Sequence, residues 1–162
     1  MMDLVRRPIE AAIIAMLATG CASHYAYTFH VTDPAVRVAT APGAADTVED
    51  ANLRAAVLVD PVAEAVRLEL TNKTDEVLQI GWSEISFSRP DGTATAWRPD
   101  VDVGWLQPGA TIAARLLPLA LPHVGTAAAA NEGRAFRLDV PAIVRREATV
   151  YHFTLTAHVR KL

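Results

Sequence analysis

The chain has 162 residues, 51% of them hydrophobic and 20% charged, with a formal net charge of -3. A chain of this length buries roughly 70% of the surface it exposes when unfolded, enough for one packed domain. The composition excludes a disordered or collagen-like chain, and without a basic excess nucleic acid is not an expected partner, because phosphate neutralisation carries most of that affinity. The single cysteine, Cys21, cannot close an internal disulfide, so packing and hydrogen bonds must hold the fold.

In chain order, the first feature is Arg6 and Arg7 followed by the apolar stretch Ala11–Ala18 and the small residues Thr19 and Gly20 before Cys21. The apolar part is well short of the ~20 residues that cross a bilayer, and it shows no amphipathic period, so it reads as a removable export segment. The run Leu17-Ala18-Thr19-Gly20-Cys21 resembles the bacterial lipobox, with Leu17 one residue further from the cysteine than in the usual pattern. That resemblance implies a signal peptide over residues 1–20, lipid attachment (palmitate among the chains) at Cys21, and a mature chain over 21–162. Ala22 after the cysteine implies sorting to the periplasmic side of the outer membrane. The alternative reading is an unprocessed N-terminal helix on a soluble domain, with Cys21 buried as free cysteines often are.

Tyr25, Tyr27, Phe29 and Val31 alternate with polar or small residues, the period of two expected of a strand with one buried face, and Val36 and Val38 extend the habit. Ala41 to Asn52 is small and acidic and reads as a loop. Strands are predicted at 54–59, 66–70, 78–82 and 85–87, the "TNKTDE" turn lying between the second and third. The Arg89-Pro90-Asp91-Gly92 hairpin then leads into a return strand through Trp97, and the Gln107-Pro108-Gly109 turn precedes a strand at 112–116. The alanine-rich stretch between Gly125 and Gly133 reads as a loop or single helical turn. Strands follow at 136–140 and at 151–159, the latter the cleanest alternation in the chain. About seven to nine short strands with no long helical period predict an all-β antiparallel sandwich, immunoglobulin-like by preference.

Thr71, Asn72, Thr74, Trp82, Asp91, Gly92, Pro108 and Gly109 together resemble the pattern of small bacterial lipoproteins with an immunoglobulin-like sandwich. The resemblance spans about Leu68 to Ile112 and implies a fold, not a site.

For chemistry, His24, His30, His152 and His158 fall on the polar faces of the first and last strands. Two histidines six residues apart on one strand stand about 20 Å apart, so a metal site needs pairing between strands, and solvated histidines are the expectation. Asp100, Asp102 and Gly104 form only a fragment of a calcium loop. Trp82, Trp97 and Trp105 read as packing residues, with Trp97 and Trp105 as a partner-binding patch in the functional reading. Glu64, Glu69 and Glu84 read as solvent-facing. Neither a Gly-x-Ser-x-Gly elbow nor a glycine-rich phosphate loop occurs, so no catalytic residue, metal or cofactor is expected. The sequence predicts a membrane-anchored, non-catalytic binding or structural module of the cell envelope; the rival is a metal-handling protein or hydrolase using the strand-end histidines.

Overall fold

The computed structural model describes residues 23–34, 45–60, 62–63, 65–96, 98–101, 103–117 and 121–162. Cys21, Trp97, Glu64, Asp102 and the extension at Val36 and Val38 lie outside these residues, as does the predicted export segment. The described chain forms two antiparallel sheets. In chain order the strands are β1 (Tyr25–Asp33), β2 (Asp46–Glu49), β3 (Leu53–Asp60), β4 (Ala65–Asn72), β5 (Leu78–Ile80), β6 (Ser86–Ser88), β7 (Ala94–Ala96), β8 (Arg98–Pro99), β9 (Trp105–Leu106), β10 (Thr111–Leu117), β11 (Ala135–Val144) and β12 (Glu147–Lys161). A one-turn helix α1 (Gly125–Ala129) precedes β11. One sheet runs β1-β12-β11-β5-β9, with β6 beside β11 and β7 beside β6; the other runs β2-β3-β4-β10-β8.

The expected sandwich is therefore what forms, and the alternation explains why. Tyr27, Phe29 and Val31 of β1 and Phe153, Leu155 and Ala157 of β12 point inward from one sheet. Val57, Leu68, Leu70 and Leu116 point inward from the other, and all belong to one buried cluster. Each strand that holds a period of two buries one face and leaves its polar residues outside.

Three places depart from the expectation. Residues 46–49, predicted within a loop, form edge strand β2 against Arg54–Val57. Buried Asp46 accepts a hydrogen bond from the Val31 amide at 2.6 Å, so a residue that reads as a turn former ties the two sheets together. Asp50 then accepts from the Asn52 and Leu53 amides, which closes the β2–β3 connection tightly. The predicted strand through Trp82 stops at Ile80, and Trp82–Glu84 form a 3-10 turn in which the buried indole donates to the Val103 carbonyl at 2.8 Å. The third departure is the β11–β12 hairpin, whose turn is Arg145-Arg146 with φ of 49° and 66°. Val144 pairs with Glu147 across it, so this is a two-residue turn with both central residues left-handed, the geometry that favours Asn-Gly. Replacing both arginines (R145N with R146G) is expected to stabilise the protein by about 1 kcal/mol, raising the thermal midpoint by roughly 2–4 °C in a scanning calorimeter. A lowered midpoint would refute that reading of the turn.

Two of the motifs behind the resemblance meet at Asn72, which is fully buried. Its amide donates to the Ala110 carbonyl, and its carbonyl accepts from Gly109, where φ of 72° suits glycine. Its side-chain nitrogen donates to the Glu76 and Leu106 carbonyls at 2.8 and 2.9 Å. Its side-chain oxygen accepts from the Thr74 amide and hydroxyl at 2.9 and 2.8 Å. The Thr71-Asn72-x-Thr74 and Pro108-Gly109 motifs are thus two halves of one hydrogen-bonded corner.

Candidate functional site

His30, His152 and His158 stand exposed on the outer face of the sheet holding β1, β12 and β11. Strands β1 and β12 pair over nearly the whole of β1, Tyr25 opposite Lys161 and Val31 opposite Leu155. This register sets Thr28 opposite His158 and His30 opposite Thr156, so the two histidines are diagonal neighbours. Their ring centres are 5.8 Å apart with a 56° tilt. Each ring turns Nδ1 toward a carboxylate: His30 faces Asp46 Oδ2 at 3.7 Å, and His158 faces Glu132 Oε1 at 3.6 Å. The other oxygen of Glu132 accepts from the Val159 amide, which anchors that carboxylate to the strand.

A second constellation lies further along the same face. His152 stands directly opposite Asp139, and Asp139 opposite Ser86 on β6. Asp139 Oδ1 accepts from His152 Nδ1 at 2.6 Å and from Arg137 Nε at 2.7 Å. Partial burial alone raises the Asp139 pKa, but the hydrogen bonds from His152 and Arg137, with the charges behind them, outweigh it and hold the carboxyl below its ordinary value. Ser86, Asp139 and His152 therefore form a row with the carboxylate in the middle. A nucleophile needs the imidazole in that place, and two strand spacings, about 10 Å, separate the Ser86 and His152 backbones. The row is an ion-paired surface and not a proton relay.

The remaining predicted residues are scattered. Trp105 is 60% exposed on the short edge strand β9, beside exposed Val103, whereas Trp82 is core. Asp100 is exposed at the end of β8, and its Oδ1 accepts from the Arg115 amide at 2.6 Å. Glu69 and Glu84 are exposed, as the sequence suggests. His24 forms an isolated bridge with Val124, the neighbour of His123. Among the described residues no three His, Cys, Asp or Glu side chains converge on one point. No helix among them is long and apolar enough to cross a membrane. No protein-family model, curated protein or solved structure matches the chain.

What sequence reasoning left open is which histidines the pairing of the first and last strands brings together. All four strand histidines were placed on polar faces, but which of them meet depends on the β1–β12 register, a contact between residues more than a hundred positions apart. A one-residue slip would have turned His30 into the core and Phe29 outward, so the register is dictated by the buried aromatic set and the histidine pair follows from it.

Proposed function

We propose that the chain is exported and lipid-anchored at Cys21 on the periplasmic side of the bacterial outer membrane, where its sandwich serves as a non-catalytic binding or structural module of an envelope assembly. The observation that carries this reading is the apolar stretch Ala11–Ala18 ending in small residues at Cys21. A diacylglyceryl group and an amide-linked chain there supply about 0.8 kcal/mol per buried CH₂, ample for stable attachment. Only Ala22, Ser23 and His24 separate Cys21 from β1, so a tether of three residues reaches at most about 10 Å and would keep the domain close to the bilayer. The exposure of Trp105, with exposed Val103 two residues before it, supports a role for the expected Trp97 and Trp105 patch in meeting an apolar protein partner. Palmitate labelling in a bacterial host tests the anchor: the wild-type chain is expected to take label and sediment with membranes, and Cys21→Ser to do neither. A Cys21→Ser chain processed and membrane-bound like the wild type would overturn the proposal.

A second reading, that of a metal-handling envelope protein, is favoured by one specific observation, the approach of His30 to His158. It moves the metal chemistry to those two residues and away from His152, which Arg137 and Asp139 engage.

A further inference from the structure

We propose that His30 and His158 together bind a divalent transition-metal ion through their Nε2 atoms, with Asp46 and Glu132 orienting the two rings and water completing the coordination shell. Metal–nitrogen bonds to imidazole are about 2.0–2.1 Å, so two rings sharing one tetrahedral ion stand about 5 Å apart centre to centre, and a small rotation of the two side chains closes the observed 5.8 Å to that distance. The orientation matters as much as the distance. Metal-binding histidines present one ring nitrogen to the ion and direct the other to a carboxylate or carbonyl, which fixes the tautomer and raises the basicity of the ligating atom. Here the Nδ1 atoms lie 3.7 and 3.6 Å from carboxylate oxygens, within ion-pair reach and a small rotation short of a hydrogen bond, and neither Nε2 has a protein partner among the described residues.

The carboxylates are themselves held. Asp46 is fixed by the Val31 amide and Glu132 by the Val159 amide, so the acids are set by backbone on both sides of the pair. Two negative charges beside the histidines also favour a cation there. The histidine side chains are 48% and 55% exposed, which leaves room for water ligands and lets the ion exchange with solvent. Imidazole nitrogen with water selects zinc, copper(II) or nickel over magnesium or calcium. His152 provides the internal contrast. Its Nδ1 is taken by Asp139, and the Arg137 guanidinium lies 2.7 Å from the same atom, so a cation approaching that ring meets a positive charge.

The site does not depend on lipid attachment, so its test is separable from the Cys21 experiment. Zinc titrated into the full chain by isothermal calorimetry at pH 7.5 is expected to bind at one-to-one stoichiometry. His30→Ala and His158→Ala are each expected to weaken that binding at least ten-fold, while His152→Ala leaves it unchanged. Glu132→Gln, which keeps the bond from the Val159 amide, is expected to weaken it roughly ten-fold by removing the negative partner of His158. Circular dichroism of each variant verifies that the sandwich is intact. Zinc binding that survives either His30→Ala or His158→Ala, that disappears in His152→Ala, or that is absent from the wild type would overturn the proposal.

Discussion

Replacing Asn72 with alanine is expected to cost about 3–5 kcal/mol, measured as a lower urea midpoint with little change in slope. The side chain makes four hydrogen bonds inside the protein, and water has no ready access to a residue with no exposed surface. Truncation leaves the Leu106 carbonyl and the Thr74 amide without their side-chain partner, and each orphaned buried group costs about 1–3 kcal/mol. The Glu76 carbonyl is better protected because the Thr74 hydroxyl lies 2.9 Å from it and can turn its one proton there once the Asn72 oxygen is gone. Asn72→Asp separates hydrogen bonding from shape. It is nearly isosteric, but it puts an oxygen where two carbonyls require a donor, so it is expected to destabilise at least as much as alanine. An aspartate variant within about 1 kcal/mol of wild type would show that the donated bonds contribute little. The total stability of a domain is only about 5–15 kcal/mol, so losing this corner removes a large share of it.

The sandwich was legible in the sequence wherever both faces of a strand had a distinct environment. Tyr151 to Val159 reads as a strand because Phe153, Leu155 and Ala157 are buried while His152 and His158 are solvated, so the chemical alternation is the structural one. The turns at Gly92 and Gly109 were legible because their left-handed backbone has a chemical signature. Arg145-Arg146 adopts the same kind of backbone without that signature, the pairing of β11 with β12 forcing it, and no local rule finds it. Strand β2 was hidden because its most buried residue, Asp46, is polar, and its place depends on an amide in the other sheet. The candidate site follows the same division. The exposure of the histidines was readable from alternation, but their meeting was not, because β1 and β12 come together by non-local pairing. Sequence spacing excluded two ligands from a single strand and required pairing between strands, but it did not say which histidines would meet.

Phe136→Ala is expected to cost about 3–5 kcal/mol, lowering the thermal midpoint by roughly 8–15 °C. Phe136 is 1% exposed on β11 and links three strands through its ring. It meets Phe29 of β1 edge-on at 5.3 Å and stacks near Phe87 of β6 at 5.5 Å. β12 lies between β1 and β11, and the small side chain of Ala157, opposite Phe29, helps make room for the two rings to meet across it. Phe136→Leu restores most of the volume but neither ring contact, and is expected to cost about 1–2 kcal/mol, since each aromatic pair adds about 0.5–1.5 kcal/mol beyond burial. The loss should also be uneven. Strand β6 has three residues and pairs only with β11 and β7, so the Phe87–Phe136 contact is a large part of what docks the β6–β7 hairpin. Hydrogen exchange in Phe136→Ala is therefore expected to accelerate first at Ser86–Ser88, while the β3–β4 ladder, in the opposite sheet, keeps its protection longest. Uniform acceleration through both sheets would mean that the hairpin has no separate dependence on the ring and opens only when the whole sandwich does.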